Sequence, residues 1–98
     1  MTYWVYILLC SDASFYTGRT NEVEKRVSEH NLGIGSEYTS RRRPVKLVWH
    51  SEFPSEQDAY VVERQIKGWS RAKKMALIAG DFDLLVELAK SKMKKNRS

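Results

Sequence analysis

The chain has 98 residues, 42% of them hydrophobic and 30% charged, with a formal net charge of +5. That length supports one core and one domain rather than two. No apolar run approaches the roughly 18 residues a membrane span needs, Met1-Thr2-Tyr3 lacks the basic start of a secretion signal, and a single cysteine excludes an internal disulfide. A reducing cytoplasm is the expected location, with Cys10 a small buried hydrophobe in an apolar strand.

The positive excess is local. Residues 90–98 carry Lys90, Lys92, Lys94, Lys95 and Arg97 and no acid, which leaves twelve basic and twelve acidic groups over residues 1–89. The sequence therefore reads as one domain over 1–89 followed by a frayed basic tail. Two further clusters lie inside the domain: Arg41-Arg42-Arg43 with Lys46, and Arg64, Lys67, Arg71, Lys73 and Lys74.

Taken in chain order, residues 3–10 are β-branched, aromatic and aliphatic and end at the polar Ser11-Asp12-Ala13-Ser14; residues 15–20 resume as a strand, which predicts an antiparallel hairpin. Asn21, with Glu24 three residues on, predicts a capped helix running to about Leu32 and stopping at Gly33. Residues 33–43 read as a loop or an irregular short helix. A third strand is expected over Pro44–His50. Ser55 caps the next helix, whose Ala59, Val62, Ile66 and Trp69 form a stripe at steps of three and four. Ser70 starts a helix that Gly80 ends, and Asp81 caps a last one with Phe82, Leu85 and Leu88 on its apolar face. Strands alternate too little with helices for a doubly wound sheet. The expected class is α/β of the α+β kind: a three-stranded, mainly antiparallel sheet flanked by helices, with further helices at the C-terminus.

Chemistry-bearing residues crowd the first third. Trp4-Val5-Tyr6 and Tyr16-Thr17-Gly18 stand on the two strands, Arg26 and His30 lie four apart on the following helix, and Glu63 is carried by a later one. In this order and spacing the chain resembles the GIY-YIG endonuclease family over about residues 3–75, and within it the short stand-alone members. It departs from the pattern at Trp4, Val5 and Thr17, which replace glycine and two isoleucines. It also has no asparagine between Gln65 and Ala79, where some family nucleases use one; Lys73 or Lys74 is the expected phosphate contact instead.

The resemblance implies hydrolysis of a phosphodiester, with DNA as the expected substrate. Tyr6 would be the general base, Tyr16 and His30 would tune or relay the proton, and Arg26 would stabilise the pentacovalent phosphorus. Glu63 would hold a divalent metal, Mg2+ or alternatively Mn2+, near the leaving oxygen. Physical chemistry supports these assignments separately. Two tyrosines cooperate only from one face of the sheet, and pairing Tyr6 with Gly18 and Leu8 with Tyr16 achieves this, setting them diagonally. The turn is then Ser11-Asp12-Ala13, with alanine where a three-residue loop prefers glycine. Residues four apart share a helix face, so Arg26 and His30 act together. Arginine's planar fork matches two phosphate oxygens, and histidine can accept a proton near neutrality. Glu63 precedes Lys67 by four, the order of an ordinary helical ion pair, yet a single carboxylate can anchor Mg2+. A phenol of ordinary pKa near 10 needs a neighbour that favours its anion.

Arg41, Arg42 and Arg43 are expected to form a mobile basic loop beside the site that, with Lys67, Lys73 and Lys74, contacts nucleic-acid backbone rather than bases. Trp4, Trp49, Trp69, Tyr38 and Tyr60 read as core or rim. The resemblance to the short stand-alone members implies no added DNA-reading domain, so specificity is expected to be low, or set by substrate structure or a protein partner. A monomer or weak oligomer is expected. Two other readings fit the same residues: a catalytically idle nucleic-acid-binding module, and a protein-interaction scaffold that docks through its terminal helices.

Overall fold

The computed structural model describes residues 2–97, with side chains through Lys90. The first strand, β1 (Tyr3–Leu9), pairs antiparallel with β2 (Phe15–Thr20) on one side and β3 (Lys46–Phe53) on the other, giving the sheet order β2-β1-β3. Helix α1 (Val23–Asn31) and the one-turn α2 (Glu37–Ser40) lie between β2 and β3; α3 (Glu56–Lys67), α4 (Arg71–Ala79) and α5 (Phe82–Arg97) follow. The chain divides into two compact units, Met1–Gly68 and Trp69–Ser98. Among the described residues no helix is long and apolar enough to cross a membrane.

The hairpin takes the expected register. Tyr6 faces Gly18 and Leu8 faces Tyr16. The Cys10 amide donates to Ser14 O at 2.9 Å around Ser11-Asp12-Ala13, and Ala13 holds a left-handed φ of 69°. Asp12 offsets the unfavourable alanine: its Oδ1 accepts from the Ser14 amide at 3.0 Å and its Oδ2 from Arg42 Nε at 2.9 Å. The loop is fastened by its aspartate rather than by a glycine.

Two boundaries differ from expectation. Helix α1 begins at Val23, and the residue before it, Glu22, makes no side-chain cap. The Thr20 hydroxyl captures the Glu22 amide at 3.1 Å, so residues 20–22 form a local turn that moves the helix start past Asn21. Strand β3 begins two residues later than expected and runs three residues further. Asn31 holds Val45 through both backbone groups, at 2.8 Å and 3.1 Å, keeping it off the sheet. At the far end Ser51, Glu52 and Phe53 pair with Val5, Trp4 and Tyr3, so ladder pairing overrides the polar composition there. A bulge at Ile7/Leu8 shifts the β1–β3 register, leaving Ile7 opposite Trp49 and Leu8 opposite Leu47.

Alternation along β1 divides the core between the two faces of the sheet. On one face Tyr6, Leu8 and Cys10 are buried with Val45, and Val27 of α1, Tyr16 and Leu47 pack against them. On the other, Val5, Ile7 and Thr17 are buried, and α3, which buries Ala59 and Ile66, lies against β1 and β2. In the second unit Ser70 caps α4 through the Lys73 amide at 3.2 Å, and Gly80 ends it at a φ of 72°. Asp81 caps α5 through the Leu84 amide at 3.1 Å. Of the expected basic tail, Lys90 pairs with Glu87 at 3.7 Å; the side chains of 91–98 lie outside the described residues.

Candidate active site

Tyr6 leaves the central strand on the α1 face, and its ring lies across Gly18 of the edge strand β2. A Cβ at Gly18 would stand 2.4 Å from Tyr6 Oη and 2.6 Å from Cζ, so only a hydrogen fits there. The phenol oxygen meets His30 Nε2 at 2.9 Å. Gly35 closes the other side of the imidazole: a Cβ on it would stand 2.4 Å from His30 Nδ1. Both Tyr6 and His30 are buried.

Tyr16, diagonal to Tyr6, has its ring centroid 6.5 Å from that of Tyr6 and 5.1 Å from that of His30. Its outer face stacks on Tyr38 of α2 at 5.9 Å, and Arg42 covers Tyr38 in turn at 3.8 Å. Arg26 comes from the same face of α1 as His30 and lies beside the Tyr6 phenol. It is aimed by two bonds, Nη2 to Gly35 O at 2.7 Å and Nη1 to Glu29 Oε1 at 3.2 Å.

Burial sets the protonation states. It pushes the Tyr6 pKa up to about 12, against the opposing pull of the Arg26 guanidinium; the charges of Tyr16 and Glu63 push the same way as burial. Burial, reinforced by Arg26, lowers the His30 pKa to about 4, with Glu29 pulling weakly the other way. At neutral pH the pair is therefore a protonated phenol against a neutral imidazole.

Glu63 reaches the site from the opposite face of the sheet. Its carboxylate is nearly buried, and both oxygens are engaged: Oε1 with Arg19 Nη1 at 2.6 Å and Oε2 with Lys67 Nζ at 3.1 Å. Arg19, next to Gly18 on the edge strand, also lies 4.9 Å from the ring of Tyr60. A cleft of about 280 Å³ opens between Arg19 and Arg26, lined further by Asn21, Lys25, Glu22 and Glu29. As a metal donor Glu63 offers the hard oxygens that Mg2+ or Mn2+ prefers, as one carboxylate rather than a cluster. No group of three or more histidine, cysteine, aspartate or glutamate side chains stands ready for a metal among the described residues.

Tyr6, Tyr16 and His30 are thus in mutual contact, Arg26 lies against Tyr6, and Glu63 acts on Tyr6 through its charge across the thin edge of the sheet. The arginine triplet behaves differently from the mobile loop expected. Arg42 is tied to Asp12 and Tyr38 O, and Arg43 to Ser40 O and Asn31 O at 3.0 and 3.3 Å; among the described residues Arg41 pairs with the exposed Glu37 alone, at 3.5 Å. Two of the three therefore fasten the segment to the hairpin and to α1. Lys67 is the ordinary helical partner of Glu63. Lys73 and Lys74 belong to the second unit, where Lys73 Nζ lies over Trp69 at 4.6 Å. Sequence reasoning passed over Arg19 and Thr39 and took Tyr38 for core or rim. Arg19 acts through Glu63, 44 residues on, and Thr39 through His30, nine residues back; the adjacency of Arg19 to Gly18 offered the one signal.

Phenol, imidazole and guanidinium gathered on a small antiparallel sheet define a class, an α+β fold whose sheet carries a tyrosine–histidine–arginine centre. Residues 2–76 match the family model described as the GIY-YIG catalytic domain, and the chain belongs to that family. It is 44% identical over 77 residues to a UPF0213 protein of Staphylococcus saprophyticus, covering 79% of this chain and 94% of that one. A UPF0213 protein of Natronomonas pharaonis is 47% identical over 79 residues, with 81% and 93% covered. Among solved structures, the UPF0213 protein BH0048 of Bacillus halodurans is 43% identical with a TM-score of 0.54, covering 81% of this chain and 84% of that one. The protein EF2693 of E. faecalis is 37% identical with a TM-score of 0.58, covering 86% and 88%. Membership in the family suggests nuclease activity and a nucleic-acid substrate.

Proposed function

We propose that the protein is a divalent-metal-dependent endonuclease that hydrolyses phosphodiester bonds of DNA with little sequence specificity of its own. The observation that carries this reading is the buried 2.9 Å contact between Tyr6 Oη and His30 Nε2, with the Arg26 guanidinium beside it. With the Tyr6 pKa at about 12, forming a free phenolate near pH 7 would cost about 7 kcal/mol. A relay avoids that state: Tyr6 takes the proton of an attacking water as it gives its own to His30 Nε2. The water O–H breaks as the O–P bond forms and the P–O bond to the leaving oxygen breaks. The proton ends on the imidazole, and the leaving oxygen takes one from solvent. An imidazolium beside Arg26 is unfavourable in the free protein. A phosphate between Arg26 and Arg19 offsets that repulsion, so substrate itself makes the relay favourable.

Glu63 is the residue that would hold the cation, Mg2+ or Mn2+, with water and phosphate oxygens completing its surroundings. Once bound, the ion would neutralise charge at the leaving oxygen. Arg19 and Lys67 would have to yield at least one carboxylate oxygen. Arg41, Lys67, Lys73 and Lys74 are proposed backbone contacts, and substrate structure or a protein partner would set where cleavage falls.

The test is a panel of fluorescent duplex, single-stranded and branched DNAs with Mg2+ or Mn2+. Tyr6→Phe, Arg26→Ala and Glu63→Ala should each lower the rate by roughly a hundredfold or more. Equal product from wild type and all three variants would overturn the reading. One observation favours a second reading, a binding module without catalysis: Glu63 is already neutralised by two cations. That module would bind DNA in a salt-sensitive manner, more weakly after Arg41→Ala, and yield no metal-dependent products.

A further inference from the structure

His30 has two ring nitrogens, and only one arrangement of its proton serves the relay. If Nε2 carries the proton, it donates to Tyr6 and has no lone pair for the phenol's hydrogen. If Nδ1 carries it, the Nε2 lone pair faces Tyr6 and the phenol donates along the 2.9 Å contact. What decides between them lies on the far side of the ring, where Nδ1 meets the Thr39 hydroxyl at 2.7 Å.

Thr39 is buried on the four-residue α2, and its oxygen has two further neighbours: the Ser36 hydroxyl at 2.9 Å and the Ser36 carbonyl at 3.4 Å. A carbonyl can only accept, so the single Thr39 proton goes to Ser36 O, the usual outlet for a threonine on a helix. The Ser36 hydroxyl accepts the Thr39 amide at 3.1 Å and donates its own hydrogen to Thr39 Oγ1. That leaves Thr39 Oγ1 with one lone pair, which suits a donor and not an acceptor at Nδ1. Each side-chain hydrogen in the group then has an acceptor: Ser36 to Thr39, Thr39 to Ser36 O, Nδ1–H to Thr39, Tyr6 O–H to Nε2. With the opposite tautomer Thr39 would turn its proton to Nδ1 and leave the Ser36 carbonyl to the Ser40 amide, which reaches it at 3.0 Å. Nε2–H would then point at Tyr6, and the phenol would need another acceptor in a buried site.

We infer that Thr39 is a positioning residue that fixes His30 in the Nδ1–H tautomer and thereby presents the Nε2 lone pair to Tyr6. The inference rests on the proposed relay for its consequence, while the tautomer can be read without any substrate. It also gives α2 a purpose. One turn of helix, capped by Ser36, carries the hydroxyl to the back of the imidazole, and Gly35 just before it leaves room for the ring.

The experiment is nitrogen NMR of the labelled His50→Gln protein, in which His30 is the one remaining histidine. Near neutral pH the shifts should report a protonated Nδ1 and a bare Nε2. Thr39→Val keeps the volume and removes the hydroxyl; the Nε2–H form should become the major one, and Thr39→Ser should restore the original pattern. In cleavage assays Thr39→Val should lower kcat by roughly 10- to 100-fold with little change in KM, rescued by serine. A wild-type protein with its proton on Nε2, or Thr39→Val with an unchanged Nδ1–H tautomer, overturns the inference. If Thr39→Val does not fold, the wild-type and Thr39→Ser spectra still decide it. Absence of cleavage in every sample would sink the nuclease reading and leave the tautomer result standing.

Discussion

On the α1 face of the sheet Tyr6, His30 and Thr39 are each at most 1% exposed and are joined by contacts of 2.7 and 2.9 Å. On the α3 face Glu63 is held by Arg19 and Lys67, whose side chains are 34% and 52% exposed. A buried hydrogen-bonding group left without its partner costs about 1–3 kcal/mol, whereas an exposed ion pair contributes up to about 1 kcal/mol. The Tyr6–His30–Thr39 half is thus fixed by buried contacts, and the Glu63 half is closed by partners that solvent can replace. Both halves meet at the thin edge strand, where Gly18 lets the Tyr6 ring through and Arg19 turns the other way toward Glu63.

The contrast is broken most directly at the two glycines. Gly35→Ala would put a Cβ 2.9 Å from the His30 Cα as well as against its ring, so backbone must shift. It should cost about 1–3 kcal/mol of stability and, with the relay displaced, roughly a hundredfold or more in rate. Gly18→Ala meets only the end of the Tyr6 side chain and should cost less stability for a similar loss of rate. Denaturant midpoints alongside initial rates separate the two effects. Wild-type rates in both variants would mean that Tyr6 and His30 are not confined as described.

Acid sharpens the comparison next, because only the α1 half contains a buried neutral base. His30 has its pKa lowered from 6.5 to about 4 in the folded chain. The unfolded chain therefore binds the proton first as pH falls, and the stability present above pH 6.5 drains away on the way down to pH 4. Between about pH 7.5 and about pH 5 the loss should be about 2 kcal/mol. His30→Gln should be less stable at neutral pH and show little further loss over that window. An equal slope in wild type and variant would assign the acid sensitivity elsewhere.

The α3 half should respond in the opposite sense when a partner is removed. Arg19→Ala should lower stability by at most about 1 kcal/mol and raise Mn2+ affinity roughly fivefold, since a competitor for Glu63 has gone. Electron paramagnetic resonance of free Mn2+ during titration reads this without DNA. Glu63→Gln should abolish the binding. Identical Mn2+ affinity in wild type and Arg19→Ala would show that the guanidinium does not guard the carboxylate.

What was legible in the sequence follows the same division. The requirement that Tyr6 and Tyr16 share a face, read through strand alternation, picked out the Tyr6–Gly18 register, and helical spacing brought Arg26 and His30 to one face, because these are local periodicities. The Glu63–Lys67 pair was legible for the same reason. Arg19 was not, since its contact with Glu63 spans 44 residues and depends on α3 crossing β2. Thr39 was hidden within a polar stretch that reads as a loop or an irregular short helix, the latter being α2. The arginine triplet misled because a charge run says nothing about the carbonyls and the aspartate that will meet it. Asn21 lost its capping place to Thr20, whose hydroxyl competes for the same turn.

Two threonines give the smallest and cleanest test. Thr39, facing α1, makes three hydrogen-bonding contacts through Oγ1, while Thr17, facing α3, is buried with its Oγ1 unpartnered among the described residues. The same change to valine should therefore have opposite signs. Thr39→Val strands a buried imidazole nitrogen and should destabilise by about 1–3 kcal/mol. Thr17→Val removes a desolvated hydroxyl without altering the volume or the β-branched fit, and should stabilise by about 1 kcal/mol. Thermal midpoints of the two variants and the double variant would settle it. The residues lie on opposite faces and share no hydrogen bond, so their effects should add to within about 0.5 kcal/mol. A destabilising Thr17→Val would mean that its hydroxyl has a partner such as a bound water, and that the α3 face is more polar inside than its apolar packing implies.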